Sequence, residues 1–445
     1  MKLSIKTQRN TDSRQWRRYP ALALCLAVFV GRFAGMGVAS DQTPATNTDL
    51  TLGAAVDLAV RENPQLKSLR AKWEAMQERA VQAGALPNPT FKYSGMDSAD
   101  GGKWPDTNEK RFMVEQEFPW LGKRGLREGI AAKDAEVMRR ELEAMTRDVV
   151  MMVKESYFRL YALQQSIVTT RKDEAVLQRM AKIAETMYST GERSQQDVLK
   201  ANAEITMLKQ RLLELDAQET TLKAKLNTLL NRRADEPLAP AVTPPEIGFS
   251  GDIDSLFALA ATNRPEVQSA QAQIERYELE KKLMAKESVP DYSLGVEYRS
   301  FGDSADAVMV TVGIDLPIWR SKYRAGAREA EKMRASSQAA REAAERQVAF
   351  DVQDAAYRLL TARRSLDLYR TELIPQAEAR FKASEAGYRT GKVDFMDLLE
   401  SQRFLLSVRV MAAMAAGDAG MEFARLERAV GTELTSTVSA KEASR

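Results

Sequence analysis

No histidine occurs anywhere in the 445 residues. A His-based zinc site, a Ser-His-Asp triad and a Cys-His pair each need an imidazole, so none can be assembled here. Cysteine is almost as scarce: Cys25 is the only one, which leaves no disulfide within one chain. No Gly-rich phosphate loop is present either. Carboxylates, lysines and tyrosines remain for acid-base work, but no pair of them is set apart by its spacing. The sequence therefore carries no sign of an enzyme and asks for no cofactor or resident metal. Long apolar runs are also missing. The stretch from Ala21 to Val30 holds roughly ten apolar residues before Arg32, about half of what a transmembrane helix needs.

What is present begins with a leader. Lys2, Lys6, Arg9, Arg14, Arg17 and Arg18 precede that apolar stretch, and Val38-Ala39-Ser40 supplies small residues for cleavage near Asp41. Residues 1–40 thus read as a signal peptide. Leu24 before Cys25 is not the small residue that a lipid-attachment site uses. The leader holds seven basic residues and one acid, so its removal takes the formal charge from +3 to −3. With that, a basic footprint for nucleic acid disappears.

The rest of the chain is written twice. Tyr188-Ser189-Thr190-Gly191 runs into Asp197-Val198-Leu199, and Tyr388-Arg389-Thr390-Gly391 runs into Asp397-Leu398-Leu399. Each copy ends one amphipathic segment and begins another, as the bend of a helical hairpin does. Glycine supplies the positive φ of such a bend, and Ser194 and Asp394 are placed to cap the returning helices. Such a self-match marks a duplicated domain. The first repeat spans 50–231 with its tip at 188–197, and the second spans 252–434 with its tip at 388–400. Each repeat opens with a short helix, then a second one at Asn63-Pro64 or Asn263-Arg264-Pro265. Proline suits a helix start because its missing N–H is unneeded there. Both second helices break at proline, at Pro87-Asn88-Pro89 and at Pro290.

After each break the period changes from 3.6 to two. Tyr292, Leu294, Val296 and Tyr298 alternate with polar residues, as do Val308, Val310, Val312, Ile314 and Leu316. In the first repeat Phe91 and Tyr93, then Phe112, Val114 and Phe118, do the same. The pattern predicts one β-hairpin per repeat, at about 90–118 and about 291–316. Strands of about nine residues with one charged face and one apolar face suit lipid outside and water inside. Trp120 and Trp319 stand just past these strands, where an interfacial aromatic belt falls. A half-buried sheet in a soluble protein remains the alternative.

The remaining segments are long helices. The stretch from Gly122 to Tyr188 reaches near 100 Å, and the shorter return helix plus the helix before the hairpin nearly equal it. Val198, Ala201, Ile205, Leu208, Leu212 and Leu215 alternate spacings of three and four, as a coiled-coil seam does. Met138, Leu142, Met145, Val149 and Met152 repeat the pattern, so these methionines read as core rather than as soft-metal ligands. The Pro-rich stretch 232–251 is a linker between repeats, and 435–445 reads as a disordered tail. The fold class is mainly α with a small β part.

This order of helix, strand hairpin, long helix and return helix, given twice, resembles the outer-membrane efflux proteins of the TolC family. The glycine tips, the Asn63-Pro64 start and the Phe118-Pro119-Trp120-Leu121-Gly122-Lys123-Arg124-Gly125 corner are similar to that family's motifs. The corner is most like the branch that exports heavy-metal cations. The resemblance implies a homotrimer whose twelve strands form one barrel in the outer membrane, with the helices forming a tunnel across the periplasm. Strand physics asks for the same, since four strands leave two open edges. Implied partners are a periplasmic adaptor docking at Thr190, Gly191, Thr390 and Gly391, an inner-membrane transporter of the RND type, and outer-membrane lipid. The family's constriction carries acids six and nine residues after the second tip glycine, which here are Asp397 and Glu400. Asp197 is the first-tip counterpart of Asp397, but Lys200 takes the place of Glu400. This chain departs from the family pattern at Val393, where a basic residue ties the closed gate; Lys392 and Arg389 are the nearest substitutes. The implied function is an exit duct of a tripartite efflux system. A duct for type I protein or peptide secretion, or a soluble coiled-coil scaffold, are the alternatives.

Overall fold

In the computed structural model, which describes residues 51–96, 109–242, 252–301 and 305–434, Thr51 opens the first helix. Its hydroxyl accepts the Ala54 N–H at 3.3 Å and starts α1 (Leu52–Glu62). Asn63 then ends α1 and caps α2 (Pro64–Gly84), accepting the Gln65 and Leu66 N–H groups. The expected signal peptide, the middles of both hairpin loops, the later part of the linker and the tail lie outside the described residues.

Between α2 and the first long helix stand β1 (Thr90–Met96) and β2 (Glu109–Phe118). The long helix α3 (Lys123–Ser189) runs 67 residues, or about 100 Å, before it turns into α4 (Gln195–Leu229). The second repeat gives α5 (Ile253–Asn263), α6 (Pro265–Lys286), β3 (Asp291–Phe301) and β4 (Ala307–Asp315) in the same order. Its long helix is not a plain copy. It is split into α7 (Arg320–Leu368) and α8 (Ile374–Arg389) by a π turn at Tyr369–Leu373. Pro375 explains the interruption, since it lacks an N–H and its ring crowds the carbonyl four residues back. Widening one turn relieves that crowding without ending the helix. The return helix α9 spans Phe395–Val430.

The coiled-coil seam on α4 faces inward as its spacing predicts. Ala201, Leu208, Leu215 and Leu226 are buried, with Val198, Ile205, Leu212 and Leu222 packed against the same clusters. Met145 and Met152 pack on the cluster around Val149, which is the core role expected of them. The two repeats build matching cores where the short helices meet the long ones. In the first, Ala55, Ala59 and Leu66 meet Val149, Val153 and Leu226; in the second, Leu256, Ala260 and Val267 meet Val352, Leu359 and Leu426. A third cluster near the tips draws on both repeats, joining Leu177, Met180 and Leu208 to Tyr388, Phe395 and Leu398.

Helix α9 is apolar and long enough to cross a membrane by composition. It packs along α3 and α7 instead, and it carries Asp397, Glu400, Arg403, Arg409 and Asp418. The helices pack in a fixed order. Helix α3 lies between α2 and α6 at one end and between α4 and α9 at the other, while α7 packs on α6 and α9. The sheet follows the same order, β1-β2-β3-β4, antiparallel throughout, with β1 and β4 as edges.

Candidate gate at the paired tips and the outer strand face

The two tips are geometric copies. Gly191 and Gly391 have φ of +77° and +76°. Their N–H groups donate to Tyr188 O at 3.0 Å and Tyr388 O at 3.1 Å. Two residues on, Arg193 and Val393 donate to Met187 O and Gly387 O, each at 3.2 Å. The Thr190 and Thr390 hydroxyls also donate to the last carbonyls of their helices. Glycine is required here by φ and not by space, because a Cβ at Gly191 would meet nothing within 4 Å. Both caps form as read: Ser194 Oγ accepts the Gln196 N–H at 3.2 Å, and Asp394 Oδ1 accepts the Asp397 N–H at 2.9 Å.

Asp397 and Glu400 sit on the exposed side of α9, three residues apart. Among the described residues Asp397 has no side-chain partner, whereas Glu400 accepts from Arg380 Nη2 at 2.9 Å. That pair is largely exposed, so water and salt weaken it and it holds Glu400 only loosely. Asp197 behaves differently. It is half-buried and accepts the Tyr388 O–H at 3.2 Å, so it ties one tip to the other within the protomer.

Tyr388 carries that tie. Its ring is 1% exposed, packs edge-on against Phe395 at 5.5 Å, and has the Arg193 guanidinium over it at 5.0 Å. Burial first, then the nearby Asp197 charge, pushes its phenol up to about 12, which keeps it a hydrogen-bond donor at all ordinary pH. Arg193 Nη2 also donates to Val393 O at 2.9 Å. A basic side chain thus reaches the Val393 backbone from the other tip. Arg389 pairs instead with Glu385 on its own helix at 2.8 Å. Tyr388 and Arg193 were not picked out from the sequence as site residues. The paired tyrosines were visible, but only the folded chain separates buried Tyr388 from Tyr188, which is 46% exposed.

At the other end, the sheet's two faces divide as the alternation predicts. Across the strands, Phe91, Val114, Val296 and Val310 share one row, and Tyr93, Phe112, Tyr298 and Val308 the next. Val308, Val310, Val312 and Ile314 are each 63–70% exposed. Aromatic rows bound this apolar band at both ends, with Tyr93, Phe112 and Tyr298 toward the loops and Phe118 stacked on Tyr292 toward the helices. The opposite face is charged: Lys92 pairs with Glu115, Arg111 with Glu109, and Arg299 with Glu297. Trp120 and Trp319 lie just beyond the helix-side row, and both are exposed.

The corner at Trp120 to Lys123 locks strand to helix. Lys123 is buried, and its Nζ donates to Val289 O at 2.9 Å and Asp291 Oδ1 at 2.8 Å. The same carboxylate oxygen accepts the Trp120 N–H at 2.6 Å, and Gly122 takes a φ of +89° to make the turn. These contacts cross from one repeat to the other.

Comparison with known proteins agrees with this architecture. The family model described as outer membrane efflux protein matches residues 55–232 and 256–432. The chain is 25% identical over 395 residues to the cobalt-zinc-cadmium resistance protein CzcC of Cupriavidus metallidurans, covering 86% of this chain and 90% of that one. In fold it is similar to the outer membrane protein VceC of Vibrio cholerae, with a TM-score of 0.71 at 19% identity over 86% of this chain and 97% of that one. CusC, whose structures describe transmembrane channel formation, gives a TM-score of 0.74 at 16% identity over 87% and 93%.

Proposed function

The chain belongs to the outer membrane efflux protein family, and from that premise we propose that it is the exit duct of a tripartite efflux system for heavy-metal cations. Three copies join β4 of one protomer to β1 of the next, which closes twelve strands into one barrel and leaves no open edge. The apolar band with its aromatic borders meets outer-membrane lipid, Trp120 and Trp319 sit at its inner interface, and the charged face lines the water-filled lumen. The helices continue the tunnel through the periplasm. A periplasmic adaptor docks around Thr190, Gly191, Thr390 and Gly391, and an inner-membrane transporter of the RND type supplies the driving force.

The observation that carries this reading is the four-stranded sheet, apolar on one face, charged on the other and unpaired at both edges. A soluble scaffold has no use for a bare apolar band with aromatic rims. The cargo class rests on likeness to a protein named for cobalt, zinc and cadmium resistance, and on acids at the constriction. Threefold symmetry sets Asp397 and Glu400 in two stacked rings of three carboxylates, which concentrate cations and repel anions. Asp197 stands behind these rings and holds Tyr388. The test is genetic. A host lacking this chain should gain cobalt, zinc and cadmium sensitivity and accumulate these ions, and the restored gene should reverse both. Unchanged metal content with altered tolerance to organic compounds would move the cargo class while keeping the duct.

A further inference from the structure

We infer that Asp173 and Gln402 form a pH-sensitive tie between the two helical hairpins of each protomer, tight when Asp173 is protonated and loosened when it is ionised. The inference rests on the gated-duct reading and adds a regulator to it. Asp173 lies on α3, about 27 Å along the helix from the Gly191 tip. Gln402 lies on α9, in the other hairpin. Both are buried, at 5% and 1% exposure, and Gln402 Nε2 donates to Asp173 Oδ2.

The other half of the amide gives the reason for a proton. Gln402 Oε1 is buried without a hydrogen-bond partner among the described residues. An ionised carboxylate only accepts, so it can satisfy the amide N–H but never the amide oxygen. A protonated carboxyl adds an O–H donor, and an acid and an amide can then exchange two hydrogen bonds. Neighbouring hydroxyls do not compete, because Ser166 and Thr170 already donate to carbonyls of their own helix.

Among the described residues no cation is dedicated to Asp173. From α4, Glu204 faces it and disfavours its charge, while the Glu204 carboxylate is itself held by Arg403 of α9. From α9, Arg409 favours its charge, but Arg409 Nη2 donates to Glu378 of α8 at 2.7 Å. On α3, its flanking neighbours Lys172 and Glu174 are of opposite sign and lie toward solvent. Burial dominates; it outweighs the Gln402 N–H donation, which by itself favours the carboxylate, and pushes the Asp173 carboxyl from 3.8 up to about 6. The sign follows from the burial: packing the hairpins together desolvates an ionised Asp173 and leaves the Gln402 amide oxygen without a donor, and a proton removes both costs. The tie is at full strength below the ordinary carboxylate range and is lost as pH rises through about 6. A resting duct would then close more firmly in an acid medium, which limits back-flow of protons and cations.

Three measurements on the reconstituted trimer test this, and the first two do not need the duct to conduct. In an infrared pH titration, the wild-type minus Asp173→Asn difference should show a protonated-carboxyl band that disappears as pH rises through about 6. The subtraction removes the other acids whose carboxyls are pushed up, Asp418, Glu422 and Glu427. Spin labels at Glu192→Cys and Lys392→Cys should report a narrow tip separation near pH 5 that broadens near pH 8. In the same labelled background, Asp173→Asn keeps the neutral amide and should stay narrow at both, and Gln402→Leu should stay broad at both. Resting current should follow, with an acid-to-neutral rise on the order of tenfold that Asp173→Asn removes, read with Asp397→Asn and Glu400→Gln present to silence the gate acids. A difference spectrum with no such band, or tips that respond to pH equally in Asp173→Asn, overturns the tie. Tips that respond while no current ever flows would overturn the duct and leave the tie standing.

Discussion

Asn63 in the first repeat and Arg264 in the second occupy the same join, between a short helix and the proline that opens the next. Each reaches across to the end of its own return helix. Asn63 Nδ2 donates to Leu229 O at 3.1 Å, while Arg264 Nη1 donates to Arg428 O at 3.0 Å and Ala429 O at 3.2 Å. The carbonyls at a helix end have no partners of their own, so both residues satisfy the same orphans. The amide does so and caps α2 as well; the guanidinium gives up the cap and adds ion pairs to Asp351 and Glu266. At the tips the division of labour is sharper. The second tip holds Asp397, Glu400 and buried Tyr388, and the first holds Asp197 and Arg193, which engage it. Duplication supplied two equal hairpins, and in the proposed duct divergence makes one the gate and the other its holder.

If the joins differ as described, removing them should cost different amounts. Arg264→Met takes the cation from Asp351, leaves Glu266 with Arg428 alone and strips the α9 end of its donor, and should cost about 3–5 kcal/mol of trimer stability. Asn63→Ala loses a cap and a cross-link and should cost about 1–2 kcal/mol. Thermal unfolding of the detergent-solubilised trimer by circular dichroism reads both, and equal losses would erase the distinction. The strand hairpins are where the repeats should agree. Val310→Arg in the second and Phe91→Arg in the first should each cost about 2–4 kcal/mol near the bilayer midplane, while Thr311→Arg is tolerated. Heat-modifiable trimers in outer-membrane fractions report this. Equal tolerance at all three positions would make the sheet a soluble one.

The tip glycines should come next. Valine at Gly391 forces a left-handed backbone on a β-branched residue, a strain of about 1–2 kcal/mol that a tip relieves by reshaping. Metal export should be lost with the trimer intact, and Gly191→Val should do the same. Loss of the trimer would make these folding residues. The smallest effect separates the tyrosines. Tyr388→Phe removes one hydrogen bond, about 0.5–1.5 kcal/mol, and should raise the resting current, whereas Tyr188→Phe should change nothing. Leak from both variants would deny the tips their separate roles.

Much of this was legible in the chain itself. Tip glycines, caps, proline helix starts and strand alternation are local signals, and the tips, the helix starts at Pro64 and Pro265 and the two strand hairpins stand where these signals place them. The π turn before Pro375 was missed because a proline in a long helix can end it, kink it or widen it, and local sequence does not choose. The cross-tip contacts were missed for a different reason. Arg193 meets Val393 and Asp197 meets Tyr388 across 200 and 191 residues, so no spacing links them. Asp197 looked like a weaker Asp397 because the copies align, and only packing shows that it faces the neighbouring hairpin. Asp173 and Gln402 carried no motif at all.

The central claim is a cation-selective duct gated at the second tip, and planar-bilayer recording of purified trimers tests it most directly. Divalent or trivalent cations added from the periplasmic side should block the current. Asp397→Asn with Glu400→Gln should remove most of that block and reduce cation preference. Asp197→Ala should instead raise the resting current, by freeing Tyr388, and leave the block in place. Wild-type block and selectivity in the double variant would contradict the account, leaving Asp397 and Glu400 as ordinary helix-end charges and placing the constriction elsewhere.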